Sequence, residues 1–322
     1  INAKPYLSDP YFYRGLAKIN LDDFQGAESD CSEAIERNPF VVSAYQVRGL
    51  ARIQQNNFAG AIEDYTKALE FDPENIGVWH NMALCRIRQE DYKGAKNDLD
   101  KLIAISPRYT KAYLMRGEVD LKQKDTLAAE KDFGKAIEID RYDADTWASR
   151  AILRLQQQRY KDAEADFDHA IRLSTRNSGV YINRALARYH QNNLRGAMSD
   201  YDIALDIDPN NFIGHYNRGL LRAQVGDDNR AIQDFNFVIE MEPDNMMAIF
   251  NRGLLLDQTG DYKGAIKDYS TVINEYPNFL LGYQYRAQAR RKIGDVKGAD
   301  ADEFKVLKAQ LDKQNGVDPN KP

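Results

Sequence analysis

A strict 34-residue period runs along the sequence and limits what it can fold into. Gly49 follows Gly15 by one period, Pro73 follows Pro39 by one, and Ala287 follows Gly15 by eight periods without an insertion. Repetition at this length implies a stack of small units, each burying its apolar side against the next and none able to fold alone.

Residues 44–73 illustrate the unit. Tyr45, Arg48, Gly49 and Arg52 recur at i, i+3, i+4 and i+7, and Ala61, Asp64, Tyr65, Ala68 and Leu69 repeat that spacing. Both halves are therefore expected to be amphipathic helices. Gln55-Asn56-Asn57 is a polar turn between them. Asp or Asn stands at the position of Asn57 in every repeat except the fifth, which has Arg159. Such a residue accepts a hydrogen bond from the free N–H groups that open a helix. Pro73 and its counterparts cannot continue a helix and are expected where the second one stops.

One column of the first helix is always small: Gly15, Gly49, Ala83, Gly117, Ala151, Ala185, Gly219, Gly253 and Ala287. One column of the second is always alanine, from Ala27 and Ala61 to Ala265 and Ala299. Two helices approach closely only where neither presents bulk, so the two columns are expected to meet. On these residues the chain resembles the tetratricopeptide repeat family over nearly its whole length. The resemblance implies an all-α fold, a right-handed α-α superhelix (solenoid) of nine tandem 34-residue helix-turn-helix repeats. Arg141 and Thr175 replace the proline, and Thr126 and Asp228 replace the aromatic residue that opens the second helix. Looser packing is expected around the fourth, fifth and seventh repeats.

Residues 1–7 are expected to be the end of a truncated preceding repeat, 8–315 the nine-repeat solenoid with an extended last helix, and 316–322 a polar tail. Pro5 lies one period before Pro39 and no Met opens the chain, so a piece of a longer protein is expected, its compartment undetermined. The most polar connection, residues 174–179, is expected to carry either a bend or a differently capped loop.

The net charge of −5, with no basic tract, argues against binding the phosphate backbone of nucleic acid. No apolar run approaches the roughly 20 residues of a membrane helix, so no membrane insertion of this segment is expected. Cys31 and Cys85 occupy core columns far apart along the stack, which argues against a disulfide. No two of His80, His169, His190 and His215 are spaced as metal ligands on one helix face, and His215, in the column of Tyr11, Tyr45 and Trp79, reads as packing. Neither CxxC, HExxH, GxGxxG, a P-loop nor GxSxG is present. No catalytic residue, metal site or cofactor is therefore expected, and the chain is not read as an enzyme.

Aspartate fills a second-helix column in all nine repeats, among them Asp30, Asp64, Asp98 and Asp200. Arginine fills a first-helix column in eight, including Arg14, Arg48 and Arg184. A catalytic group is needed once, not at every step of a stack, so these residues are expected to pair across each helix interface. The third repeat has Met82 in the arginine column, and Arg86, one turn later, is expected to reach Asp98.

In tetratricopeptide solenoids the first helices line the concave face, and the resemblance implies that a peptide or protein segment binds there. Repeats six to eight place Ile182 and Leu186, Tyr216 and Leu220, and Phe250 and Leu254 beside a row of asparagines, Asn183, Asn217 and Asn251. An amide side chain both donates and accepts, so such a row can hydrogen-bond an extended backbone while the apolar neighbours hold its side chains. Packing between repeats would account for the same residues without a ligand. Family members that grip acidic chaperone tails use Lys and Asn where this chain has Phe12, Leu16, Gln46 and Leu50, so that partner is not expected. The function expected is a non-catalytic protein-interaction scaffold. The alternatives are a regulatory or targeting module of a larger, possibly enzymatic, protein, and self-association through the terminal repeats.

Overall fold

The computed structural model describes residues 7–174 and 176–314, and among these all regular structure is α-helical. The expectations for residues 1–6, for Thr175 itself and for the tail from 315 lie outside the described residues. The helices fall into two compact units, residues 1–157 and 158–322. The division lies in the turn inside the fifth repeat and not at the polar connection 174–179.

The first unit contains α1 (Asp9–Ile19), α2 (Phe24–Arg37), α3 (Val42–Gln54), α4 (Phe58–Phe71), α5 (Ile76–Arg88), α6 (Tyr92–Ile105), α7 (Thr110–Lys122), α8 (Thr126–Ile139) and α9 (Ala144–Gln156). The second contains α10 (Tyr160–Leu173), α11 (Ser178–His190), α12 (Leu194–Ile207), α13 (Phe212–Gln224), α14 (Asp228–Met241), α15 (Met246–Thr259), α16 (Tyr262–Glu275), α17 (Leu280–Lys292) and α18 (Val296–Gln314). Within each unit every helix packs on its chain neighbours, so the second helix of one repeat also lies against the first helix of the next.

The turn inside each repeat follows from two residues. The expected cap forms at most of the Asp and Asn positions: Asp23 accepts from Gly26 N, Asn57 from Gly60 N, Asp91 from Gly94 N and Asn193 from Gly196 N, while Asp227, like Arg159, makes no such bond. The residue before it is left-handed in all nine repeats. Six are not glycine (Asp22, Asn56, Glu90, Lys124, Gln158, Asn192; φ 58 to 64°) and three are (Gly226, Gly260, Gly294; φ 80 to 93°). A left-handed residue ends the first helix and reverses the chain within a few residues.

Second helices end in an extended residue followed by proline, as in Asp72-Pro73 (φ −133°, ψ 79° at Asp72), the conformation a following proline requires. Asp140, before Arg141, takes nearly the same conformation (φ −137°, ψ 99°), so α8 stops in register without proline. The carbonyl at the proline position is held by the next first helix: Trp79 Nε1 donates to Pro73 O at 2.8 Å, Tyr113 Oη to Pro107 O at 3.1 Å and Trp147 Nε1 to Arg141 O at 2.9 Å. At the aromatic departures α8 is regular from Thr126, and the one sign of strain is Asp228, whose Oδ1 is buried without a partner.

The small column also makes room for a neighbour that was not expected. A Cβ on Gly49 would lie 2.7 Å from the Tyr65 ring, on Gly117 2.6 Å from Phe133 and on Gly253 2.9 Å from Tyr269. Glycine thus makes room for the ring four residues beyond the alanine. These rings are the largest fully buried side chains of the core, together with Phe167 and Phe235. In the first repeat, where Cys31 replaces the ring, the alanine backbone is also near: Ala27 O would be 3.3 Å from a Cβ on Gly15.

The expected ion pairs form within each unit. Arg184 binds Asp200 through Nε at 3.0 Å and Nη2 at 2.6 Å, and Arg116, Arg218, Arg252 and Arg286 hold Asp132, Asp234, Asp268 and Asp302 in the same two-pronged way. The third guanidinium nitrogen crosses to the preceding repeat, reaching Asp168 from Arg184 at 2.7 Å, Asp202 from Arg218 at 2.8 Å and Asp100 from Arg116 at 2.6 Å. In several repeats a second cation one turn later meets the same carboxylate, as in Arg52–Asp64, Arg188–Asp200 and Arg222–Asp234, whereas Asp120 and Leu256 fill that column in the fourth and eighth. Burial pushes Asp30 up, but hydrogen bonds from Arg14 and Lys18 outweigh it and hold its carboxyl below the ordinary value.

Two repeats depart from this scheme. Where Met82 replaces arginine, Arg86 approaches Asp98 at 3.0 Å but is misaligned for a hydrogen bond, and burial raises the Asp98 carboxyl to about 6. The bond between repeats that runs from Arg52 to Glu28, Arg154 to Glu130 and Arg188 to Glu164 is reversed once, with Lys96 donating to Asp120 at 2.5 Å.

Candidate functional site

The asparagine row lies on α11, α13 and α15, all in the second unit. Its three members differ. Asn251 Nδ2 donates to the Tyr216 hydroxyl at 3.1 Å. Asn217 has Ile182 at the equivalent place one repeat back, which offers no hydroxyl. The amides of Asn183 and Asn217 make no hydrogen bond among the described residues, and both are partly exposed.

The apolar neighbours are graded in exposure. Leu220 is 39% exposed, whereas Ile182 is 7% exposed within a core cluster that holds Tyr181 and Tyr201. Leu186 and Leu254 are half-buried. Tyr216 packs edge-on against Phe235 with centroids 5.8 Å apart. Burial raises its phenol pKa, and the bond with Asn251 only partly opposes this. Phe250 is ringed by Phe279, Tyr269 and Tyr285 at 5.1, 5.8 and 5.8 Å. The surface therefore offers two free amides, one exposed leucine and an aromatic wall.

A second cleft lies in the first unit. It has a volume of about 560 Å³ and is bounded by His80, Leu84, Arg88, Tyr92, Glu118 and Lys122. Arg88 and Lys122 stand in the polar column that ends the first helices, with Gln54, Gln156, His190, Gln224, Gln258 and Lys292.

His215 does more than pack. Its Nε2 lies 3.0 Å from Pro209 O and its Nδ1 3.0 Å from Asp234, and its ring stacks on Phe237 at 4.0 Å. Cys31 and Cys85 are free and buried, with burial pushing the thiols up to about 12 and about 11, which keeps them unreactive. Among the described residues no group of three or more His, Cys, Asp or Glu could hold a metal, and no helix is long and apolar enough to cross a membrane.

Comparison with known proteins follows the same lines. Tetratricopeptide repeat family models match residues 49–85, 76–109, 110–143, 149–212 and 216–278. No curated protein matches the sequence. Similar solved structures include a tetratricopeptide repeat protein from Parabacteroides merdae (21% identity, 79% of this chain and 99% of that one, TM-score 0.59). The C-terminal part of a TPR repeat-containing protein from Cytophaga hutchinsonii is another (17% identity, 74% and 97%, TM-score 0.60). Pseudomonas aeruginosa pilF is a third (19% identity, 67% and 97%, TM-score 0.56). At these identities the likeness is one of fold, and with the repeat models it supports a protein-interaction scaffold in general terms. Helix pairs in tandem, matched by repeat models along most of the length, make this chain a member of the tetratricopeptide repeat family.

Proposed function

We propose that the chain is a non-catalytic scaffold that holds an extended protein segment across the first helices of repeats six to eight. The observation that carries this reading is the pair of unengaged amides, Asn183 and Asn217, one repeat apart in the same column, beside the exposed Leu220. An extended strand presents its own N–H and C=O groups along its length, and side-chain amides at regular intervals satisfy both while apolar neighbours bind alternate side chains. Asn251, bound to the Tyr216 hydroxyl, ends the row.

The test is affinity capture from the source cells with wild type and with the triple variant Asn183→Ala, Asn217→Ala, Asn251→Ala, the two matched for melting temperature. The reading expects a protein retained by the wild type and lost from the folded triple variant. An identical retained set would remove the asparagine row from the binding surface.

A further inference from the structure

The passage from the eighth to the ninth repeat breaks the repeat's own rules. The residue that ends the second helix is polar in each of the seven preceding repeats that reach it from Asn38 to Glu242, and here it is Tyr276. The residue that opens the next first helix is Asn or Asp at 75, 143, 177, 211 and 245, where its side chain caps the helix; here it is Phe279, which like Val41 and Tyr109 caps nothing, and it is the one of these three that follows an aromatic helix end. Together with Met246, Met247, Phe250 and Val272, these two rings line an open pocket of about 380 Å³. Met247 is 66% and Tyr276 55% exposed, so large apolar side chains stand in water around a hollow the stack does not need.

Asp244 lies at the rim, and its carboxylate has no partner among the described residues. Glu242, two residues earlier, adds a second negative charge, engaged only by Asn245 Nδ2 at 3.0 Å. Methionine and aromatic walls adapt to one bulky apolar group. An unpaired carboxylate beside them favours a cation next to that group.

We propose that this pocket is an anchor site for a protein segment carrying one large apolar side chain, tryptophan or another of similar bulk, beside a lysine or arginine. Phe250 is common to this pocket and to the asparagine surface, so for the path of the rest of the segment the inference rests on the reading above. The pocket itself is tested without it.

The protein contains six methionines, which permits methyl-¹³C labelling and direct observation of Met246 and Met247. The probes are N-acetyl-Lys-Trp-amide, N-acetyl-Glu-Trp-amide and N-acetyl-Lys-Ala-amide, titrated into the millimolar range. The Lys-Trp probe should move the Met246 and Met247 signals saturably and leave those of Met82 and Met115, in the other unit, in place. The Glu-Trp probe should bind about two- to fivefold more weakly, and the Lys-Ala probe should give no saturable shift.

Phe279→Asn and Tyr276→Asp, which restore residues used elsewhere in the repeat, should each abolish the response while the helical spectrum is kept. Either variant alone suffices should the other not fold. No saturable shift with Lys-Trp, or a full response in both variants, would overturn the pocket, and equal affinity for Lys-Trp and Glu-Trp would overturn the role of Asp244. The triple asparagine variant should respond to the probes as the wild type does, so failure of the groove reading and failure of this one are separately visible.

Discussion

Replacing Asp98 by asparagine should stabilise the protein at neutral pH and above, although Asp98 is 1% exposed and faces an arginine. In the third repeat Met82 removes the arginine that elsewhere grips the aspartate with two hydrogen bonds, and Arg86 sits at 3.0 Å without the alignment to replace it. Burial then prevails, and the carboxyl rises from 3.8 to about 6. At about 1.4 kcal/mol per pKa unit, the ionised form is disfavoured in the fold by on the order of 3 kcal/mol.

The sign follows from linkage. The folded state holds this proton more tightly than the unfolded chain, so its contribution is complete below about pH 4 and is lost as pH rises through about 6. Asparagine keeps the shape and does not titrate. Urea denaturation followed by circular dichroism should show the variant gaining on the wild type by up to about 3 kcal/mol between about pH 4 and pH 8. Asp30→Asn should show the opposite slope, because the Asp30 carboxyl is held below its ordinary value and its stabilisation is lost as pH falls. A difference between Asp98→Asn and wild type that does not change with pH, or that worsens as pH rises, would refute the reasoning.

Two further outcomes follow from the ion pairs. Asp200→Ala leaves both Arg184 and Arg188 facing an empty site and should cost about 3 to 5 kcal/mol, whereas Glu240→Ala, at an exposed position, should leave the melting temperature nearly unchanged; equal melting temperatures would reject the pairing. Lys96→Glu and Asp120→Arg should each destabilise, since Asp120 is 1% exposed. The double variant, which restores the polarity of Glu28–Arg52, should recover most of the loss in a thermal melt, and simple additivity of the two would show that no pair exists.

The period, the helix pairs, the Asp and Asn caps and the pairing of Arg184 with Asp200 were legible in the sequence, because each is set by spacing along one helix or by a column fixed in every repeat. The second arginine that Asp64, Asp200, Asp234 and Asp302 each hold was not: whether a long side chain reaches a carboxylate depends on how far apart two helices sit. Nor does a pattern of small residues say which side chain they admit, and it is the Tyr65 ring that lies over Gly49.

The functional surface divides the same way. The sequence alone determined that Asn183, Asn217 and Asn251 share one face, since a strict repeat returns each to the same column. Only the tertiary structure decided that Ile182 is enclosed, that Leu220 faces solvent, that Asn251 is tied to Tyr216, and that Met247, Tyr276 and Phe279 surround a hollow. Exposure is a property of the neighbouring repeat as much as of the residue, and no single column carries it.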